Sequence, residues 1–291
     1  MRISRLYATQ RPVFSFEFFP PRTDAGYRAL YRVIGELKEL APGFVSVTSH
    51  ARGENRSKTA ELVIRIQNEL GITAMAHMTC SGQTREELAE TLAQLARAGI
   101  ENVMALRGDP PRDQPEWRPV PGGFRFGSEL AAFVKQQGAF CVGGGCYPEV
   151  HPEAASAEAD LAHLARKVAA GAEFLITHLF LNNEHYFRFV AHARAAGIAV
   201  PIVPGIMPIV SLANLRGALR NAPTSETPPE LEQELAEAEA DKERSLEVGV
   251  AWATRQCREL LARGAPGIHF YTLNQSPATR RVHANLMGAR A

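Results

Sequence analysis

No run of apolar residues in this chain approaches the length of a bilayer-spanning helix, and its first residues carry no apolar signal region. Neither a membrane segment nor export is expected, and a cytoplasmic protein is. Cysteine is scarce: Cys80, Cys141, Cys146 and Cys257 lack framework spacing, which excludes a disulfide scaffold and suits a reducing compartment. Basic tracts are missing too. The 32 Lys and Arg balance 31 Asp and Glu, which argues against nucleic acid as the main partner. No linker, low-complexity tract or repeat longer than one strand–helix unit divides the chain, so residues 1–291 read as one domain.

Chemical signatures are also absent. No Gly-x-Gly-x-x-Gly follows the first strand, which removes the usual mark of a doubly wound dinucleotide fold. Gly143-Gly144-Gly145 has no Lys-Ser/Thr after it, so it is a weak phosphate cradle. The first strand has no His-x-His pair of the kind metal-dependent barrel hydrolases use.

What is present is alternation. Eight short apolar runs read as strands: Val13–Phe18, Phe44–Thr48, Ala74–Met78, Asn102–Leu106, Phe140–Gly143, Phe174–Thr177, Pro201–Pro204 and Gly267–Tyr271. Helical periodicity fills the gaps, as in Tyr27, Leu30, Ile34 and Leu37, or Leu88, Leu92 and Leu95. Thr84 with Glu87 forms a capping-box signature. Gly99, Gly138, Gly171 and Gly197 stand where helices end and a left-handed residue is wanted. The connection over about 222–263 is longer, with a loop at 222–229, an acidic helix near 230–240 and an amphipathic helix after it. Eight alternations predict an all-parallel sheet closed as an α/β (β/α)8 TIM barrel.

Such barrels build their sites at the C-terminal ends of strands. That rule gathers Glu17, Thr48, Ser49, His50, His77, Thr79, Arg107, Asp109, Tyr147, Glu149, His151, His178, Met207, Tyr271 and Asn274. On strand one, Phe14, Phe16 and Phe18 point one way and Ser15 and Glu17 the other. Taken alone, Glu17 reads as a core carboxylate paired with an arginine. After strand five, Asp160, His163 and Lys167 share a helix face beside Arg166, which is either a solvated face or the seat of a large anion. In Arg107-Gly108-Asp109 the glycine lets backbone approach a ligand closely. A metal hydrolase using His77, His178 and Asp109 competes at this point with organic-cofactor chemistry in which Glu17 is a general acid.

Six blocks taken in order make the chain resemble methylenetetrahydrofolate reductase of the bacterial type. They are Phe16-Glu17-Phe18-Phe19-Pro20-Pro21, Val45-Ser46-Val47-Thr48, Ala105-Leu106-Arg107-Gly108-Asp109, Tyr147-Pro148-Glu149-Val150-His151-Pro152, Pro204-Gly205-Ile206-Met207-Pro208 and His269-Phe270-Tyr271-Thr272-Leu273-Asn274. The resemblance implies FAD at the C-terminal face of the barrel. It also implies a hydride relay from NADH or NADPH through FAD to 5,10-methylenetetrahydrofolate, giving 5-methyltetrahydrofolate. Glu17 matches the family's acid, which must protonate N10 and so calls for a raised pKa. Asp109 matches a carboxylate near flavin and pterin. Thr48, Ala51, His77, Leu106, Arg107, Gly108, Asp109, Tyr147, His151, Ala154, Asp160, His163, Arg166 and Lys167 match FAD positions, Arg166 and Lys167 suiting the pyrophosphate. Glu17, Thr48, Asp109, His178, Leu212, Tyr271 and Gln275 match positions that meet folate or nicotinamide, and no metal is implied.

Departures from the pattern fall mainly in the last group. Ser49-His50 replace Tyr-Gly, and His163 replaces a commoner Asn. His178 replaces Gln, Leu212 an aromatic residue, and Gln275 a basic one. They keep open a second reading, a flavin- or folate-binding subunit that takes electrons from a partner protein. A homo-oligomer is expected in either case.

Overall fold

A computed structural model describes residues 1–49, 56–108 and 119–288. Strands and helices alternate through it: β1 (Val13–Phe18), α2 (Asp24–Lys38), β2 (Phe44–Val47), α3 (Arg56–Leu70), β3 (Ala74–Thr79), α4 (Arg85–Arg97), β4 (Asn102–Leu106), α5 (Gly127–Gln137), β5 (Cys141–Cys146), α6 (Ala157–Ala169), β6 (Ala172–Thr177) and α7 (Asn183–Ala195). A broken seventh stave follows, β7 (Ile202–Val203) and β8 (Gly205–Ile206), then α8 (Leu212–Asn221), α9 (Pro229–Glu237), α10 (Lys242–Ala262), β9 (Gly267–Tyr271) and α11 (Pro277–Gly288). A short α1 (Ile3–Thr9) precedes them all. The sheet is parallel throughout, in the order β7-β6-β5-β4-β3-β2-β1-β9-β8.

The seventh run, expected as one strand at 201–204, is two. Pro204 has no N–H to give the ladder and interrupts it. Below the break Ile202 and Val203 pair with Leu175 and Ile176 of β6, and above it Gly205 and Ile206 pair with His269 and Phe270 of β9. The two halves together close the ring as an α/β barrel. The fifth strand also lies later than expected, at Cys141–Cys146. Two of its glycines serve packing: a Cβ on Gly143 would lie 2.6 Å from the Phe174 ring, and one on Gly144 would lie 2.8 Å from the Lys167 stem, while Gly145 lines both cavities.

Helix termini follow the local signals. Thr84 and Glu87 form the reciprocal capping box. Gly99, Gly171 and Gly197 have positive φ, but Gly138 (φ 163°) is extended instead. Alternation sorts the apolar residues into layers. Phe16 and Phe18 are fully buried outside the sheet against the helices. Inside the ring, α1 closes the bottom, where Ile3, Leu6 and Tyr7 meet Val13, Phe44, Met75, Met104 and Phe174. A third cluster joins α8, α9 and the segment after β6 through Leu179, Leu212, Leu215, Leu231 and Leu235. Among the described residues no helix is long and apolar enough to cross a membrane.

Candidate active site

The barrel's upper interior is polar because its inward positions are. Climbing β1, the inward residues run Val13, Ser15, Glu17. Ser15 is fully buried, and its Oγ lies 2.8 Å from His269 Nδ1 on β9. The other ring nitrogen of His269, Nε2, lies 3.5 Å from Glu17 Oε2 and 3.4 Å from Ser46 Oγ. His77 on β3 brings its Nε2 within 3.5 Å of the same Glu17 oxygen without forming a hydrogen bond. Glu17 therefore has histidines for neighbours, not the arginine that a core carboxylate suggested.

That surrounding reverses one expectation. Burial pushes the Glu17 carboxyl up, but the hydrogen bond from His269 and the nearby charges of His77, His269 and His178 more than offset it, leaving its pKa below the ordinary 4.5. The acid thus rests as a carboxylate. His77 is depressed by burial, with Glu17 opposing, so its ring is neutral near pH 7.

Two connected cavities open above. The larger, of about 670 Å³, is lined by Glu17, Thr48, His77, Thr79, Leu106, Arg107, Gly108, Tyr147, His151, Lys167, His178 and Tyr271. The smaller, of about 390 Å³, shares Arg107, Tyr147, His151 and Lys167 and adds Ala154, Asp160, His163 and Arg166 from the start of α6 and its loop. Nearly every expected position within the described residues is brought together here. Leu212 is not: it is buried in the α8–α9 cluster, and α8 turns Ala218 and Asn221 toward the cavity instead. Gln275 is exposed beyond the rim and lines neither space. Asp109, Ala51 and His50 lie outside the described residues.

Several side chains are already engaged. Lys167 Nζ donates to the Gly145 carbonyl at 2.6 Å, and burial lowers its pKa. Arg107 grips Glu153 through both terminal nitrogens, at 2.5 and 2.7 Å, which holds the Glu153 carboxyl below its usual range. Asp160 accepts the His151 backbone N–H at 3.0 Å and so fixes the loop as well as facing the cavity. The Tyr147 ring stacks on His178 at 5.1 Å and meets His151 edge-on at 4.6 Å. Gly108 has φ +83°, and a Cβ there would come 2.9 Å from both Thr79 and Ser81, so packing and backbone shape both require the glycine.

Sequence reasoning missed Phe126, Gly127 and Glu153 on the cavity walls. Nothing in their local pattern sets them apart from an ordinary helix start and a loop acid. It also left Thr79 among rim residues without a role, although its buried Oγ1 has no partner and faces the larger space. Among the described residues no group of three or more His, Cys, Asp or Glu side chains is placed to hold a metal ion.

A polar, cation-bearing cleft over a buried carboxylate suits an elongated anion and proton transfer. The family model described as methylenetetrahydrofolate reductase matches residues 2–287. The chain belongs to the methylenetetrahydrofolate reductase family. It is 37% identical over 280 residues to the 5,10-methylenetetrahydrofolate reductase of Escherichia coli (strain K12), covering 95% of this chain and 90% of that one. It is 36% identical over 286 residues to methylenetetrahydrofolate reductase (NADH) 1 of Arabidopsis thaliana, covering 94% of this chain and 48% of that one. The chain thus spans about half the length of its plant relatives and nearly all of its enterobacterial ones. In fold it is similar to an uncharacterized Clostridium thermocellum protein described as binding two copies of 5-methyl-5,6,7,8-tetrahydrofolic acid. The TM-score is 0.70 at 14% identity, over 99% of this chain and 98% of that one.

Proposed function

We propose that this chain reduces 5,10-methylenetetrahydrofolate to 5-methyltetrahydrofolate with electrons from NADH or NADPH, and that its two cavities hold FAD. The observation that carries this reading is Glu17, aimed into the larger cavity between His77 and His269. The cleft fits the cofactor on its own chemistry. Arg107, Arg166 and Lys167 supply cations for a diphosphate, and the buried His77 Nε2 and Thr79 Oγ1 make no hydrogen bond. Bound there, FAD supplies a two-electron carrier between nicotinamide and folate.

The chain's own residues supply the proton. Opening the imidazolidine ring needs a proton on N10, so Glu17 must first take one up. His269 lies between Glu17 and the buried Ser15 hydroxyl, which makes it the residue through which that proton is held and returned. Ligand entry displaces water from around Glu17, which remains 18% exposed, and strengthens the burial that raises its pKa. Asp109, next after Gly108 in sequence, is proposed to stabilise the 5-iminium cation that ring opening forms.

Anaerobic titration tests the reading. The flavin-loaded protein should bleach with NADH or NADPH and recolour with 5,10-methylenetetrahydrofolate. Glu17→Gln should bleach but fail to recolour; normal recolouring by that variant removes Glu17 from the acid role. The stacking of His178 on Tyr147 and the turning of Leu212 away from the cavity favour a second reading, electron supply by a partner protein. Flavin that binds but is bleached by neither nicotinamide selects that reading.

A further inference from the structure

The connection between α8 and α9 is long, and the proposed reaction gives it no task. Its residues 224–226 are tied down at every position. Thr224 Oγ1 donates to the Val150 carbonyl at 3.2 Å, and Ser225 Oγ donates to the Leu179 carbonyl at 3.1 Å. The Glu226 backbone N–H donates to Glu149 Oε1 at 2.7 Å. Its carboxylate lies 2.6 Å from His185 Nε2 and accepts from Asn182 Nδ2 at 3.5 Å. Arg188 donates to His185 Nδ1 at 2.8 Å, so the imidazole presents its proton to Glu226 from Nε2.

Two of these bonds, from Thr224 to the Val150 carbonyl and from the Glu226 N–H to Glu149, end on one loop, and the others anchor the segment to Leu179 and to the start of α7. Val150 has φ +70°, in the left-handed region that a β-branched residue seldom adopts. Glu149 beside it has a side chain only 6% exposed, with Oε2 buried and unpartnered. Both belong to the loop 147–151 between β5 and α6, whose Tyr147 and His151 line both cavities. Backbone strain of this kind persists only where the surroundings over-determine it.

We infer that residues 224–226 are a strap that holds Val150 left-handed and so sets Tyr147 and His151 at the ligand wall, with Thr224 and Glu226 as positioning residues. The inference rests on reading those cavities as the flavin site. An ordinary surface contact between the same segments would stabilise the fold without any link to the backbone shape at 150.

Glycine separates the two, because it adopts positive φ without steric cost. Apoprotein is titrated with FAD for wild type, Thr224→Val/Glu226→Ala, Val150→Gly and the three changes combined. The strap variant should bind FAD at least tenfold more weakly. Val150→Gly alone should stay within about twofold of wild type, and added to the strap variant it should restore most of the loss. Unchanged affinity in the strap variant, or no recovery with glycine, overturns the inference. Amide exchange at His151 and Ala154 reads the same device without ligand: faster in the strap variant, slowed again by glycine. If wild type takes up no flavin but exchange follows this pattern, the strap stands and the flavin reading falls. Thr224→Val alone removes one exposed hydrogen bond and keeps the measurement open should the double change fold poorly.

Discussion

The two halves of the barrel's interior are built from the same strands and obey opposite chemistry. Below, Val13, Phe44, Met75, Met104 and Phe174 pack against α1 with Tyr7 edge-on to Phe44. One inward step up three of these strands, Val13 gives way to Ser15 and then Glu17, Phe44 to Ser46, and Met75 to His77, while β4 and β6 stay apolar with Leu106 and Ile176. The lower half earns stability from close packing, whereas the upper half spends some of it on a carboxylate and two imidazoles held out of bulk water. The difference teaches where substitutions should hurt: folding below, chemistry above.

The largest expected effect lies below. Phe174→Ala should cost about 3–5 kcal/mol in urea denaturation while leaving flavin affinity in the protein that remains folded close to wild type. The sharpest contrast comes from carrying the lower half's chemistry upward. Glu17→Leu removes both a desolvated charge and the partner of His269, effects that offset in part, so it should shift the urea midpoint less than Phe174→Ala, and it should abolish folate turnover. A Glu17→Leu protein as damaged in urea as Phe174→Ala would break the comparison. Lys167→Met, on the cavity wall, should weaken FAD binding by about 1.5–3 kcal/mol, the worth of a charge-assisted hydrogen bond, with a much smaller change in urea midpoint.

The smallest effect is read in pH. His77 is depressed below 6.5 by burial and Glu17 below 4.5 by its histidines. Both folded values lie below the unfolded ones, so each group's stabilisation is complete above its unfolded value and is lost as pH falls through the folded one. Stability should therefore decline on the acid side, beginning below 6.5, and His77→Gln should flatten the first part of the decline. His283, depressed by burial on α11, contributes to the same window and remains in that variant. Urea midpoints measured from pH 7 to 4 give the comparison.

Much of the fold was legible because periodicity is local. The β1, β4 and β9 boundaries coincide with apolar runs, and Thr84 with Glu87 announces α4. The plug α1 was not legible, since seven residues are too few to show a period and its apolar face makes sense only against the ring it closes. α11 follows the last strand, where no further strand brackets it. The site was legible as far as the barrel rule reaches, through Glu17, His77, Arg107, Tyr147 and His178. It failed where a contact depends on how a loop or helix turns: Leu212 faces the α8–α9 cluster, and Gln275 is exposed and lines neither cavity. The protonation state of Glu17 failed for another reason, because His269 reaches it from the far end of the chain.

The proline in the seventh stave bears on that same histidine. Pro204 cannot donate, yet its carbonyl accepts the His269 backbone N–H at 3.0 Å. The residue that splices the ring is thus also its gauge. A ring-locked backbone unit fixes how high the imidazole stands, and with it how level His269 is with Glu17 on the proposed proton path.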